Sequence, residues 1–242
     1  MAMPSPSAML AAWERGVHQG MAHRGLTLLA LAEPDIDLQS LAAIGIGDRD
    51  RRLLSLREIL FGTSMTGLVS CPDCREELEV ELATTDLRTF AGKKMSDLAV
   101  RGDGYEIRLR LPNSCDLIAA ADRDLEDAAR TLLRACVVSA TVDGANIEPE
   151  ALPSHLVDLT SRQLSDAIPL ADLRLNLACA NCGRLWQGPF DIVPFLWAEL
   201  EAWAGRVLRE IHALASAYGW SEREILSLSP ARRRSYLGML EA

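Results

Sequence analysis

The sequence predicts an α+β fold, in which small antiparallel β elements are combined with helices. Two Cys-x-x-Cys pairs each lie between runs that alternate in the manner of strands. Further alternating runs lie between the two pairs, and apolar residues recur at helical spacing through a long stretch that begins near residue 191. A chain of 242 residues is long enough for one elaborated domain or two small ones with a sizeable core.

The bulk composition limits the classes of protein to consider. The chain is 49% hydrophobic with a formal net charge of −9, which argues against a general nucleic-acid or anionic-membrane binder. No apolar run reaches the roughly 18 residues of a transmembrane helix, and the first ten residues lack the basic region of a signal peptide. We therefore expect a soluble protein of a reducing cytoplasm, without membrane insertion.

Residues 1–65 are predicted to be an N-terminal helical segment. Residues 8–32 form one helix, or two helices broken by glycines, and a short helix follows at 38–43. Residues 48–60 form a charged helix with a stripe of leucines. Its charges at positions 49–57 are expected to form a solvated face.

Residues 66–190 are predicted to be an α+β core that carries the halves of a zinc ribbon at 66–83 and 172–190. A strand at 66–70 leads into the first cysteine pair, and residues 77–82 alternate strictly between glutamate and an apolar residue. The glutamates are expected to be solvated, and their charges can also discourage pairing at a sheet edge.

Between the two ribbon halves, strand-like and helix-like patterns follow one another. Asn113 or Ser114 is a candidate N-cap and Asp116 lies in the first helical turn, where the helix dipole favours an anion. Leu125 is expected on the inward face of the helix that follows. The predicted order is a connecting stretch with a short helix (85–99), a strand (105–111), a helix from 113, a helix (122–134), a strand (136–142) and a helix (152–167).

Residues 191–242 are predicted to be a helical docking arm. A long amphipathic helix begins after Asp191 as N-cap and ends at Gly219, and two short helices follow, the first with a capping box at Ser221. The apolar stripe of the long helix is wide, so part of it meets another chain, or all of it is intrachain core. The candidate partner-contacting residues are Trp197, Trp203, Tyr218, Trp220, Leu226, Arg232, Arg233 and Tyr236.

The cysteine pairs, Cys71 with Cys74 and Cys179 with Cys182, have the spacing of metal-binding knuckles. Each pair directs two thiolates toward one ion, and two pairs supply the four sulfurs of tetrahedral zinc at about 2.3 Å. Paired knuckles are usually separated by roughly 15–20 residues, whereas 104 residues lie between Cys74 and Cys179. If all four bind one structural zinc ion, a whole domain is inserted between the halves of the ribbon. Iron is an alternative metal.

Other interpretations of the cysteines need no metal. A disulfide within each pair suits secreted chains, and a thioredoxin-like redox motif begins a helix, whereas strand-like sequence follows each pair here. The remaining Cys115 and Cys136 have apolar neighbours and are expected in the core. A closed four-cysteine site leaves no open coordination position, and no catalytic motif accompanies it, so the sequence predicts a protein that is not an enzyme.

A series of short motifs follows a fixed order along the chain. They are Trp-Glu-Arg-Gly (13–16), Arg-x-x-x-Leu-x-x-x-Leu-Phe-Gly (52–62), Cys-Pro-x-Cys (71–74), Leu-Pro-x-Ser-x-Asp-Leu (111–117), Cys-x-x-Cys-Gly with Trp186, Phe-Asp-Ile…Phe-Leu-Trp-x-Glu (190–199), and His-x-Leu-Ala…Tyr-Gly-Trp-Ser-Glu-x-Glu-Ile-Leu-x-Leu-Ser-Pro (212–230). The set resembles the baseplate hub and hub-assembly chaperone family of contractile-tailed, T-even-type phages and related contractile injection systems.

The resemblance implies a non-enzymatic structural component or assembly factor that binds other baseplate, hub or wedge proteins. Its place is then the virion tail baseplate, or the bacterial host cytoplasm during assembly. Two alternatives come from other classes. A zinc-ribbon adaptor would bind nucleic acid or transcription machinery with strong salt dependence, and a thiol oxidoreductase would lose activity on Cys71→Ser with its fold intact.

Overall fold

A computed structural model, which describes residues 2–89 and 98–240, confirms the α+β class. In these two ranges, helices come first and last, and three small antiparallel sheets lie between them in sequence. Residues 90–97 of the predicted connecting stretch lie outside the described residues. Within the described ranges, no helix has the length and apolar character needed to cross a membrane.

The N-terminal segment consists of four helices, and the first predicted stretch is two helices, not one. Ser5 caps the first helix by accepting from the Ala8 N–H, and Asp37 caps the third by accepting from the Ser40 N–H. The four helices are α1 (Pro6–Gly16), α2 (Met21–Ala32), α3 (Leu38–Ala42) and α4 (Ile46–Phe61).

The strands form two hairpins and one four-stranded sheet in the order β3-β4-β5-β6. The predicted strands on either side of each cysteine pair are confirmed, and each pair of strands is antiparallel. Strand β3 was not predicted, because it is short and only three of its residues are apolar. The strands are β1 (Ser64–Ser70), β2 (Glu77–Ala83), β3 (Leu98–Gly102), β4 (Tyr105–Leu109), β5 (Val137–Val142), β6 (Ala145–Asn146), β7 (Leu173–Ala178) and β8 (Leu185–Phe190).

Four helices and a short 3-10 turn (Pro149–Ala151) connect these strands. Asn113 is the N-cap of α6, and Asp116 completes a reciprocal capping box with it. Leu125, which was expected to face inward, is 90% exposed at the first position of α7, so this expectation was wrong. The helices are α5 (Thr84–Thr89), α6 (Ser114–Ala120), α7 (Leu125–Cys136) and α8 (Ser154–Ala167).

The C-terminal segment has the three predicted helices, α9 (Ile192–Tyr218), α10 (Glu222–Ser227) and α11 (Pro230–Gly238). Asp191 caps α9, and Gly219 ends it in the left-handed conformation with φ of 69°. Most of the apolar stripe of α9 packs against α1, α2, α4, α10 and α11. Most of the stripe is therefore intrachain core.

Three groups of buried apolar side chains hold the molecule together. The largest joins α1, α2, α4 and α9 to the bases of the two hairpins, and so draws on all three predicted segments. The second lies between the four-stranded sheet and α8. The third joins α1 to α9 and α10, with half-buried side chains of α11 around it. The two ends of the chain are therefore packed together.

The charged face of α4 is not solvated as expected. Arg49, Asp50 and Arg57 are all buried. Arg49 pairs with Asp50 at 2.8 Å, and Arg57 donates to both carboxylate oxygens of Glu199 on α9 at 3.0 and 2.7 Å. The expectation was wrong because buried charges are stable when they are paired and hydrogen-bonded. Arg49 finds its partner in the next residue, whereas the partner of Arg57 lies 142 residues away in sequence.

Candidate metal centre

The first cysteine pair lies at the tip of the β1–β2 hairpin. The Cys71 N–H donates to the Glu76 carbonyl at 2.9 Å, and the Arg75 N–H donates back to the Cys71 carbonyl at 3.1 Å. Arg75 holds a left-handed φ of 64°, which is uncommon for a residue with a side chain. These bonds fold the chain tightly enough for both thiols of the pair to point the same way.

The second pair repeats this arrangement at the tip of the β7–β8 hairpin. The Cys179 N–H donates to the Arg184 carbonyl at 2.8 Å, and the Gly183 N–H donates to the Cys179 carbonyl at 2.9 Å. Gly183, with φ of 75°, occupies the position that Arg75 holds in the first turn. Two local turns with the same bonding pattern thus present two thiols each.

The two hairpin tips meet, and all four sulfurs lie within 4.8 Å of one another. The Sγ atoms of Cys71 and Cys182 are 3.7 Å apart, and those of Cys74 and Cys179 are 3.5 Å apart. Tetrahedral zinc with Zn–S of about 2.3 Å places its sulfurs about 3.8 Å apart. The predicted convergence of the four cysteines is confirmed, and their spacing fits one metal ion.

The pKa values of two of the thiols, Cys71 and Cys182, are shifted in opposite directions. Backbone N–H groups of Cys74 and Asp73 lower the pKa of Cys71 to about 7. At Cys182 the backbone N–H of Arg184 favours the thiolate, but burial and the neighbouring thiols outweigh it and raise the pKa to about 12. Since metals bind thiolates, loading this site must release protons.

Two side-chain contacts join the knuckles beside the sulfurs. The Asn181 Nδ2 donates to the Cys74 Sγ at 3.7 Å, and the Arg184 guanidinium lies 3.7 Å from the Asp73 carboxylate. Each contact crosses from one hairpin to the other. The Cys-x-x-Cys spacing alone did not predict these contacts, although all of the residues lie within or directly beside a pair.

The remaining two cysteines lie apart from this cluster. Cys136 is buried as expected, and burial raises the pKa of its thiol to about 11. Cys115 is exposed, so its predicted place in the core is wrong. It lies in the first turn of α6, where the buried positions are taken by the polar Ser114 and Asp116.

Two of the candidate partner-contacting residues are buried within the chain. Trp197 is 1% exposed, and the guanidinium of Arg24 lies 4.7 Å from its ring centroid. Arg233 is 3% exposed and donates to the Glu210 carboxylate and to the Leu228 carbonyl, each at 2.9 Å. Both residues stabilise this fold, and neither presents its side chain to a partner, so we withdraw them from the predicted set.

The other candidates lie at or near the surface of the C-terminal segment. Tyr218 stacks on Trp220 with ring centroids 4.7 Å apart, and Tyr236 packs edge-on against Trp220 at 4.9 Å. Trp203 and Leu226 are half-buried. Arg232 is exposed, like Tyr218. Their role in partner binding stays a prediction.

Comparison with known protein families assigns most of the chain to one family. Residues 33–196 match the family model described as T4 bacteriophage base plate protein. This span contains all four clustered cysteines and the capping box of α6, whereas the motifs at 13–16 and 212–230 lie outside it. Neither curated proteins nor solved structures gave a match. Since the matched span is more than half of the sequence, the chain belongs to the T4 bacteriophage base plate protein family.

Proposed function

We propose that this protein is a non-enzymatic component of a phage-type contractile tail baseplate, where it binds other baseplate, hub or wedge proteins. The observation that carries the proposal is the family match over residues 33–196. The cysteine cluster and both hairpins lie inside this span. The conclusion is a structural or assembly role in the tail.

The cysteine cluster supports a structural zinc ion as the cofactor. Cys71, Cys74, Cys179 and Cys182 offer four soft sulfur ligands at distances that suit tetrahedral coordination. Such a site is closed to water and substrate, which supports a structural role over a catalytic one. Bound metal would hold together two hairpins whose cysteines lie more than a hundred residues apart in sequence, and iron remains the alternative ion.

The C-terminal segment supplies the second proposed element, a docking surface. Its aromatic cluster of Tyr218, Trp220 and Tyr236 lies at the end of α9, with Arg232 exposed nearby in sequence. Tyrosine, tryptophan and arginine are the residues most often found in the energetic centres of protein interfaces. Trp203 and Leu226 complete the proposed set.

Particle composition tests the proposed role directly. Contractile tail particles and their assembly intermediates would be purified from the organism that encodes the chain, and their proteins quantified by mass spectrometry. A structural component appears in mature particles at a fixed ratio to the hub proteins, and an assembly factor appears only in intermediates. Absence from both fractions overturns the proposal.

Metal analysis of the purified chain tests the cofactor. Native mass spectrometry and elemental analysis should find one zinc ion per chain, and Cys71→Ser should abolish it. Cys115→Ser is the matched control, because Cys115 is exposed and outside the cluster. Reduction of a test disulfide by the wild-type chain, with Cys71→Ser inactive but folded, would support the thiol oxidoreductase instead.

A further inference from the structure

The two hairpins meet at their tips and leave an open cleft between them. The cleft has a volume of about 340 Å³. Val69, Val80, Leu82, Leu175, Leu177 and Phe195 are among its lining residues. All six are only partly buried by the rest of the chain. Among the described residues, the apolar side chains between the hairpins therefore remain partly exposed to solvent.

Strand β2 forms one border of this cleft, and one of its edges is free. It pairs with β1 on one side, and no other described strand pairs with it. A free strand edge presents unpaired N–H and C=O groups, which are a template for another strand. Val80 and Leu82 face the cleft, so a strand added at this edge would extend the apolar wall.

The opposite face of β2 carries uncompensated negative charge. Glu77, Glu79 and Glu81 alternate with the apolar residues and are exposed. None of the three has a salt-bridge partner among residues 2–89 and 98–240. Leu68 lies directly across the hairpin from Glu79, is 75% exposed, and also borders the cleft. An apolar residue amid acidic ones on a free sheet is a surface suited to a partner that is both apolar and basic.

We propose that the free edge of β2 binds an extended segment of another protein by strand addition, and that this segment alternates basic and apolar side chains. The apolar side chains would lie beside Val80 and Leu82 toward the cleft. The basic ones would lie opposite Glu77, Glu79 and Glu81, where opposite charges on neighbouring strands stabilise pairing. The inference rests on the proposed function only for the source of the segment, which is another baseplate protein.

A second copy of this chain fits the same edge poorly. If two β2 strands pair with each other, side chains of like position share a face, so the glutamates of both copies meet. Like charges directly opposite one another destabilise a strand pair. The charge pattern therefore selects a basic partner over self-association.

Peptide binding by the purified, metal-loaded chain of 242 residues tests this inference. The probe is a fluorescent peptide of alternating lysine and valine, and its binding is followed by anisotropy. The triple substitution Glu77→Gln, Glu79→Gln, Glu81→Gln should weaken binding at least about tenfold, equivalent to about 1.4 kcal/mol. The matched control Asp158→Asn, Asp166→Asn, Glu201→Gln removes the same charge at exposed positions elsewhere and should change binding less than about twofold.

Two altered peptides separate strand addition from simple charge attraction. A peptide with the same lysines and valines in two blocks keeps the charge and loses the alternation. A peptide with N-methyl groups on alternate amides keeps the side chains and loses the edge hydrogen bonds. Both should bind at least about tenfold more weakly than the alternating peptide if hydrogen-bonded pairing holds the complex.

Three results would overturn the inference. In the first, the three peptides bind equally well. In the second, the triple variant and its control lose the same amount of binding. In the third, the alternating peptide does not bind and the triple variant self-associates. The last result would mean that the glutamates guard the edge against pairing. Each result leaves the particle-composition test unaffected, so failure here is distinguishable from failure of the proposed function.

Discussion

At the scale of single residues, the stability of the fold depends on arginines that are buried and paired inside the helical core. Arg57 is 2% exposed, donates to both oxygens of Glu199, and also donates to the Gly62 carbonyl at 2.7 Å. Its planar guanidinium therefore joins α9 to α4 and to Gly62, the residue that ends α4. Such a group stabilises the fold only while its partners are present.

Glu199→Ala removes the carboxylate and leaves the Arg57 charge buried and unpaired. We expect the free energy of unfolding to fall by about 3 kcal/mol, as for other broken buried pairs. Glu106→Ala is the control, because the Glu106 pair with Arg101 is exposed and such pairs contribute at most about 1 kcal/mol. Urea denaturation of both variants makes the comparison, and equal losses would show that water screens Arg57.

The conformation of each knuckle also depends on one residue with a left-handed backbone, Arg75 in the first and Gly183 in the second. Gly183 can hold its φ of 75° without a side chain in the way, whereas an L residue pays a conformational cost there. Gly183→Ala should lower the free energy of unfolding by about 1–2 kcal/mol. Gly102→Ala should change it little, because a Cβ at Gly102 meets no atom within 4 Å and its φ is not positive. Thermal unfolding of the metal-loaded proteins tests both.

At the scale of elements, the start of α6 connects the helical core to the four-stranded sheet. Asp116 accepts two bonds from Arg110, at 2.6 and 2.8 Å, and one from the Asn113 N–H at 2.9 Å. The Pro112 carbonyl in the same turn accepts from the Ile46 N–H at the start of α4. This capping motif therefore connects the end of β4, the start of α6 and the start of α4.

Asp116→Asn tests this junction through its pH dependence. Burial raises the pKa of Asp116, but the bonds from Arg110 and Asn113 outweigh it and hold the pKa below its ordinary range. The carboxylate therefore stabilises the fold above pH 4, and this contribution disappears as the pH falls through the folded-state pKa. The variant should lose about 1–2 kcal/mol at pH 7 and show a shallower loss on acidification. Urea titrations between pH 7 and pH 3 measure the free energy of unfolding of both proteins. If it falls equally steeply with decreasing pH in the variant and the wild type, the prediction is wrong. Asp158→Asn is the control.

The elements that the sequence could predict are those that follow from local patterns. The alternating residues of β2, the caps at Asp191 and Asn113, and the stripe of α9 follow local rules, and the structure bears them out. The convergence of the cysteines followed from chemistry, because four thiols in two pairs suit one ion. The burial of Arg57 and Trp197 could not be foreseen, since their partners Glu199 and Arg24 are distant in sequence. The open cleft depends on how the hairpins splay, which no local pattern encodes.

At the scale of the whole molecule, two long-range connections hold the hairpins in place. The bases of both hairpins join the main core with α9, and their tips meet through cysteines 105 and 111 residues apart in sequence. A link that closes so long a loop restricts the unfolded chain strongly, as disulfides of similar span do. The helical core, in contrast, has its own buried cluster and does not include the cysteines.

Metal removal should therefore loosen the hairpin tips while the helices stay folded. After chelation, the amides of Cys71 and Cys179, which donate to the Glu76 and Arg184 carbonyls, should exchange with deuterium much faster, because the tips lose the bonds that hold them together. Amides in the middle of α9 should keep their protection, since Leu196, Leu200 and Leu214 have no exposed surface. Hydrogen exchange read by mass spectrometry distinguishes the outcomes, with the zinc-reloaded chain as control. Loss of protection throughout α9 would mean that the metal supports the entire fold, and unchanged exchange at both tips would mean that no ion links them.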